Sequence, residues 1–562
     1  MKKLMSMLLA AAMLVTLLAG CGSTLEGDEK GAVINIYLAN EISDYDPALA
    51  YTDDAAVKVL GLVYEGLTRI NPEGKLENGL MKSYKVFEDD EKQEYRMEIT
   101  IKETKWSDGR VVSADDVVYA WKRILDPEFS CSAAALLFDV KNARDVKNGD
   151  NSIDDLGIAA IDDVVLEVQF EEKIDYNQFL ENLACLALVP LREDVVTRYD
   201  RFGIATSTLC TNGPFAIKGI EAGESLMLER NVYYYRNTDD EDALDKYVLP
   251  YRLMINFEAD EEANTAAYEA GEIFYLGEIG LSKRASYAET ATITDILSTY
   301  SFMVNCENKT LSNAANRKAL SDSLDRNAIA SAITYAKPAT GLIPPAVFDT
   351  GAGTSFRAVG GDILSASKGS GSGSGSFTLT IKDNAVENKI AELAKASWEA
   401  AGFKVTVKAL EAEDFKEAYE TGDYDVIGLD YQCPNTDAFG ALAIFAKEFS
   451  GNGIDIQNDN YDAVPYVQGY DNAAYSEKIE AAYADKTRAG RTALLHEAEK
   501  ILMEDLPIIP VIFNQDAYVY NEEVLSGIKD NYFGYRIFNR LNMKDWRTYQ
   551  ETEAPTTTAA AQ

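Results

Sequence analysis

Residues 377–430, FTLTIKDNAVENKIAELAKASWEAAGFKVTVKALEAEDFKEAYETGDYDVIGLD, decide the reading of the fold. Phe377, Leu379 and Ile381 alternate with polar residues, the period of a half-buried strand. Ile390, Leu393, Ala394, Trp398 and Ala401 then fall on one face of a helix, and Gly402 follows as its C-terminal stop. Phe403, Val405 and Val407 alternate again. A strand–helix–strand unit of this size implies a parallel pair with a right-handed crossover. A second helix, about Glu413 to Thr421, ends at Gly422, and a third strand, Tyr424 to Leu429, runs into Asp430. Parallel sheets gather ligands beyond the carboxyl ends of their strands. A carboxylate at Asp430 is therefore placed to meet a cation in a crevice. The competing reading is a solvated or capping aspartate in a βα loop.

Working outward, Gly369 to Ser376 is a pure Gly/Ser alternation, the composition of a flexible linker. It reads either as a domain boundary or as a long surface loop within one domain. Downstream, Leu494, Leu495, Ala498, Ile501 and Leu502 predict an amphipathic helix that carries His496, the one histidine of the chain. Leu506-Pro507 breaks that helix. Ile508 to Phe513 then reads as an apolar strand, and Pro510 inside it implies a sheet edge or a strand end. Upstream, Val33 to Leu38 is an opening strand. Ser113 and Asp116 have capping-box spacing before a helix whose apolar face holds Val117, Trp121, Ile124 and Leu125, stopped by Asp126-Pro127.

The chain has 562 residues, enough for about three or four domains by length alone. It carries 53 basic and 92 acidic residues, a formal net charge of −39. A nucleic-acid partner is excluded on that balance, because phosphate binding needs a basic footprint. Such a charge favours a soluble monomer and does not identify a ligand. At the N-terminus, Lys2 and Lys3 precede an apolar run from Leu8 to Ala19, too short to span a bilayer and built like a secretory signal. Leu18-Ala19-Gly20-Cys21 resembles the lipobox of bacterial lipoproteins, in which the cysteine receives the lipid. The alternative is an ordinary signal with Cys21 incidental. Gly22 to Lys30 is small and polar, as a tether should be. The five other cysteines (Cys131, Cys185, Cys210, Cys306 and Cys433) are widely spaced with no CxxC, which argues against zinc and leaves disulfide pairing open. The tail from Glu551 to Gln562 has a disordered composition.

A family resemblance emerges from segments spread along the chain. Asp46-Pro47-Ala48 is followed by Leu62-Val63-Tyr64-Glu65-Gly66-Leu67, Lys105-Trp106-Ser107-Asp108-Gly109 and Ser113-Ala114-Asp115-Asp116-Val117. Asn212-Gly213-Pro214-Phe215, Leu324-Asp325-Arg326-Asn327-Ala328-Ile329 and Glu504-Asp505-Leu506-Pro507-Ile508 come later in the same order. Taken together these resemble the extracellular solute-binding proteins of family 5, the oligopeptide- and dipeptide-binding lipoproteins of ABC importers. The likeness runs from about Asn35 to Trp546. Most of these residues read as scaffold: Trp106 and Trp121 as core anchors, Gly109 and Gly213 as turn residues.

The resemblance implies a two-lobed periplasmic-binding-protein-like α/β fold (type II, large cluster) with an extra inserted domain. Carried over, residues 1–20 are the signal and 21–30 the tether. Lobe I combines 31–71, 204–297 and 518–550. The inserted domain is 72–203, lobe II is 298–517 with its Gly/Ser loop at 369–376, and 551–562 is the tail. The resemblance further implies a peptide lying extended between the lobes, its α-ammonium on Asp430. Backbone from Ile427, Gly428 and Leu429, and from Tyr51, Thr52 and Asp53, would face it. No match appears for the basic residue that receives the ligand's carboxylate. The implied partners are a peptide, the permease subunits of an ABC importer, and the membrane through a lipid on Cys21. The implied place is the extracellular face of the cell membrane, and no cofactor or metal is expected.

Two other classes stay open. The same scaffold could hold an oligosaccharide, for which the 32 tyrosines offer stacking platforms, or another non-peptide solute. A carboxylate-dependent hydrolase needs no histidine. Against an enzyme stand the missing P-loop, GxSxG and HExxH motifs and the helical setting of His496, so a non-catalytic binding protein is expected.

Overall fold

The structure, a computed structural model, describes residues 31–198, 202–203, 209–221, 223–234, 247–257, 261–456 and 462–550. The segments expected to be the signal (1–20), the tether (21–30, with Cys21) and the tail (551–562) lie outside the described residues. The five cysteines between 131 and 433 are all free thiols, so neither of the disulfides left open by the sequence forms among them.

One large sheet organises the chain. Its eleven strands, numbered in chain order, are β1 (Val33–Tyr37), β2 (Phe215–Glu221), β3 (Ser225–Arg230), β4 (Arg252–Asn256), β5 (Tyr275–Leu276), β6 (Thr292–Val304), β7 (Ala336–Pro338), β8 (Gly375–Lys382), β9 (Phe403–Leu410), β10 (Val426–Gln432) and β11 (Ile508–Tyr520). They lie in the order β9-β8-β10-β6-β11-β5-β1-β4-β3-β2, with β7 added on β11. A second, antiparallel sheet of four strands (Met81–Asp89, Glu94–Ile101, Val165–Phe170 and Ile158–Asp162, in that spatial order) falls within 72–203. The helix Ala114–Leu125 accompanies it. Its first turn is closed by the Asp116 carboxylate, which accepts from the Ser113 N–H at 2.9 Å and from the indole of fully buried Trp106 at 3.0 Å.

The strand–helix–strand reading of 377–407 holds. β8 and β9 are parallel, in register from Gly375↔Phe403 to Lys382↔Leu410. The intervening helix Ala385–Ala400 is N-capped by Asn384, and its Ile390, Ala394 and Trp398 are fully buried. Trp398 packs edge-on against Phe302 of β6 and Phe377 of β8 and donates its indole N–H to the Leu320 carbonyl at 3.0 Å. The next helix, Ala412–Thr421, ends on Gly422 in the left-handed region, as its sequence predicts.

Four expectations are corrected. The third strand does not stop before Asp430 but continues to Gln432, because antiparallel pairing with β6 carries it on to Ser298↔Gln432. Pro510 marks no edge and no end. β11 runs thirteen residues between β6 and β5, and the register shifts where Pro510 meets Ser301, so the missing N–H falls at an irregularity. The Gly/Ser run is not a free linker. Gly369 donates to the Asp322 carbonyl (2.7 Å) and Gly373 to the Ala401 carbonyl (2.9 Å). A Cβ on Gly371 would lie 2.4 Å from the Ala319 carbonyl, and one on Gly373 would run into the Phe403 ring, so glycine here serves close packing rather than mobility. Gly213, read as a turn residue, instead abuts the backbone of Val63 and Tyr64, its virtual Cβ 2.5 Å from the Val63 carbonyl carbon. Gly109 does sit in a turn, at φ +92°.

β6 and β11 pass through the whole sheet as a long antiparallel pair. Thr292↔Tyr518 to Asp295↔Gln515 is one stretch of register, and Thr299↔Phe513 to Tyr300↔Ile512 begins the next. Between them β6 gains residues relative to β11, an irregularity that bends and twists a strand pair locally.

Candidate functional site

Against the middle of the sheet lies a cleft of about 1360 Å³. One wall is the chain from Ala48 to Ala56. There the short helix Pro47–Ala50 is capped by Asp46, whose carboxylate accepts from the Ala48 N–H at 3.0 Å and is paired with Arg123. Tyr51 and Thr52 turn the chain, and Asp53 caps the helix Asp54–Val63 by accepting from Ala56 N–H at 2.9 Å. The opposite wall is built by the ends of β8 and β10 and by the residues that follow β8 and β9.

Asp430 lines this cleft. It faces Tyr300 across the β6–β10 ladder, and its Oδ1 accepts from the Asn514 side chain on β11 at 2.6 Å. The same amide of Asn514 donates to Ser298 Oγ at 2.8 Å, which fixes its orientation. Burial, and after it the neighbouring Asp54 carboxylate, push Asp430 up to about 6 against the pull of Lys382 and the Asn514 hydrogen bond. Beside it, Glu387 accepts from the Tyr300 hydroxyl (3.2 Å) and the Lys382 N–H (3.0 Å), and burial pushes it up to about 7.

Two ion pairs cross the cleft. Lys382 at the end of β8 reaches Asp53 at 3.1 Å, and Lys416 reaches Asp44. The Asp53 carboxylate holds the Lys382 ammonium above the ordinary lysine range. Burial alone would raise Asp53, but Lys382 and the capping N–H of Ala56 outweigh it and hold Asp53 below its usual value. At the rim the walls also touch through backbone. Cys131 N–H donates to the Gly451 carbonyl at 2.9 Å, Ile454 N–H donates to the Pro127 carbonyl at 3.0 Å, and Ser130 Oγ donates to Asn452 Oδ1 at 2.7 Å. Both glycines have positive φ, +73° at Gly451 and +65° at Gly453. A Cβ would come within 2.2 Å of the Cys131 carbonyl oxygen in the first case and 2.0 Å of the Pro127 carbonyl oxygen in the second.

Of the residues singled out in the sequence, Tyr51, Thr52, Asp53, Leu429 and Asp430 share this cleft. Ile427 and Gly428, expected to present their backbone to a ligand, do not line it. Ile427 is flanked by Thr380 of β8 and Met303 of β6, so its backbone lies between two ladders. Gly428 is covered by the Tyr300 hydroxyl, 2.2 Å from where a Cβ would stand. The β8 register ends at Thr380↔Ile427 while that of β6 continues to Gln432. From Gly428 onward, therefore, no described strand pairs with the β8-facing edge of β10. Lys382, Glu387, Asn514 and the Asp44–Lys416 pair escaped the sequence reading. Asn514 lies one residue past the predicted strand end at Phe513, and the others become neighbours only through the tertiary fold. His496 lies apart from the cleft lining, bonded to Asp349 Oδ1 at 2.8 Å and stacked on Phe356.

The comparisons with known proteins agree with this geometry. Residues 75–453 match the family model described as bacterial extracellular solute-binding proteins, family 5 Middle. The oligopeptide-binding protein OppA of Bacillus subtilis is 26% identical, over 92% of this chain and 94% of that protein. The dipeptide-binding protein DppE of the same organism is 25% identical, over 95% and 98%. Among solved structures, Listeria monocytogenes OppA bound to peptide superposes with a TM-score of 0.76 at 20% identity, covering 92% of this chain and 99% of that one. The fold is thus that of the OppA-type binding proteins, a two-lobed α/β scaffold.

Proposed function

This chain belongs to the bacterial extracellular solute-binding proteins of family 5, and on that premise we propose that it captures peptides in the cleft and passes them to the membrane permease of an ABC importer. The observation that carries the reading is Asp430: a carboxylate in the cleft wall, one oxygen oriented by Asn514, next to a strand edge that no described strand covers. An extended peptide sets its α-ammonium on Asp430 and its main chain along Leu429 and the 51–53 turn, in the manner of an added strand. Lobe I is 31–71 with 204–297 and 518–550, lobe II is 298–517, and 72–203 is inserted. The register break of β6 and β11 at 295–299 and 513–515 lies beside both proposed crossovers, as a hinge would. Closure over the ligand excludes water and strengthens the ammonium–carboxylate pair. The protein acts by binding and release, without a catalytic step.

The test is calorimetric titration of one short peptide in two forms, with a free and with an acetylated amino end. The free form is expected to bind and the acetylated form to lose at least tenfold in affinity. Equal affinity, or binding of oligosaccharides in place of peptides, would sink the proposal. Affinity should also follow a bell-shaped pH profile. Below about pH 6 Asp430 takes up a proton in the empty cleft, which the ligand must expel, so binding weakens as pH falls. Above about pH 8 the peptide's own ammonium deprotonates and binding weakens again. A flat profile between pH 5 and 7 would remove Asp430 from the ammonium site.

We further propose that Cys21 carries a lipid that holds the protein on the extracellular face of the cell membrane. Two or more acyl chains suffice for stable anchoring. Cys21→Ser is expected to shift the protein from the membrane fraction to the medium with its peptide binding intact. Full membrane retention of the variant, with the signal removed, would refute the anchor.

A further inference from the structure

The cleft's charge is strongly lopsided. Its lining contains fifteen carboxylate side chains and four cationic ones, so the sign of its field is set by the acids. The four cations are Lys58, Arg284, Lys382 and Lys416, and each already faces a carboxylate. Lys58, almost fully buried, is paired with Asp54 and Glu278 and lies 3.8 Å from Asp516. Lys382 holds Asp53 and Lys416 holds Asp44. Arg284 lies 3.9 Å from Glu261. Several lining carboxylates, in contrast, take hydrogen bonds from neutral donors only among the described residues. Glu41 accepts from the Gly223 N–H, Glu262 from the Ser282 N–H and hydroxyl, and Asp430 from Asn514. The excess is felt within the wall itself: burial, then the nearby Glu278 carboxylate, push Glu261 up to about 7.

An acidic wall alone is a solvated surface. A second feature marks this one as built for a ligand. Gln432 lies two residues past Asp430 on the same face of β10, lines the cleft, and is 8% exposed, yet its buried side-chain NH2 has no hydrogen-bond partner among the described residues. A buried donor left without an acceptor is costly, and a ligand carbonyl would satisfy it. The two positions are about 7 Å apart along the strand, close to the spacing of alternate residues in an extended peptide.

We propose that the cleft selects peptides bearing positively charged side chains, with the carboxylates of Glu41 and Glu262 as their partners and the Gln432 amide holding a main-chain carbonyl. This rests on the reading of the cleft as a peptide site. A low-dielectric cleft lined by one sign of charge concentrates the opposite sign and repels its own. An acidic peptide would bring further negative charge to a wall whose cations are already committed. A basic one neutralises that wall.

The experiment incubates the purified protein with an equimolar mixture of pentapeptides of one length and three classes, differing only in Lys, Ala or Glu at the middle positions. Retained peptides are identified by mass spectrometry. The lysine class is expected to be retained at least tenfold over the glutamate class, and that ratio should shrink as salt rises from low to high ionic strength. Equal retention of the three classes, or a ratio indifferent to salt, overturns this inference and leaves peptide binding standing. Retention of none overturns both.

Discussion

Asp430→Asn is expected to weaken peptide binding by about 2–5 kcal/mol, because it leaves the ligand's ammonium in a closed cleft without its counter-charge. At about 1.4 kcal/mol per decade that is roughly a 30-fold to several-thousand-fold loss. The substitution keeps the shape of the side chain and can keep its contact with Asn514 after a flip of either amide. It also removes one of several crowded carboxylates, since Asp54 and Asp53 both act to raise Asp430 in the empty protein. The melting temperature of the ligand-free variant should therefore be unchanged or higher. That combination separates a binding role from a structural one: a stabilised protein that no longer binds. A variant that melts as before and binds with the parent's affinity would show that the ammonium sits elsewhere.

Gly453→Ala tests the contact at the cleft rim. Gly453 adopts φ +65°, a strain that alanine would carry whether the walls touch or not. The clash is different. The added methyl would stand 2.0 Å from the Pro127 carbonyl oxygen only while the walls meet. It should therefore lift the closed arrangement by on the order of 1–3 kcal/mol, the usual penalty for overpacking. Peptide affinity should fall roughly 5- to 150-fold, mostly through faster release. Small-angle scattering of the liganded variant should show a larger radius than the parent's. Asn452→Ala, which removes the Ser130 hydrogen bond and the one the Asn452 amide donates to the Pro465 carbonyl at 3.1 Å, should have a smaller effect on affinity. Unchanged affinity in Gly453→Ala would mean that ligand is held without this contact.

The legible parts of the fold were those written locally. The 377–407 unit could be read because alternation, a five-residue apolar face and a capping glycine fall in one short stretch, and the structure holds all three. The family resemblance rests on turn and core residues such as Trp106, Trp121 and Gly109, which specify the scaffold whatever the cargo. Asp430 could be nominated from its place after a hydrophobic strand. Its surroundings could not. Asn514 was hidden because the apolar run stops at Phe513, whereas the strand itself continues through polar Asn514 and Gln515 to Tyr520. Lys382 and Asp53 are 329 positions apart in the chain, and nothing local announces that they meet. The Gly/Ser run misled for a physical reason. Composition reports the freedom of an isolated segment, whereas here the glycines let the backbone lie against Ala319 and Phe403.

The placement of β11 bears on how the molecule comes into being. It is the last strand of the large sheet in the chain, yet it occupies the middle, joining β6 on one side to β5 on the other. Translation, or threading through a pore from the amino end, delivers ten strands before the one that unites them. Until residues 508–520 arrive, the nascent polypeptide offers two bare hydrogen-bonding borders, each a template for wrong partners. A polypeptide halted before residue 508 therefore lacks the strand that joins β6 to β5, and both of those borders stay open.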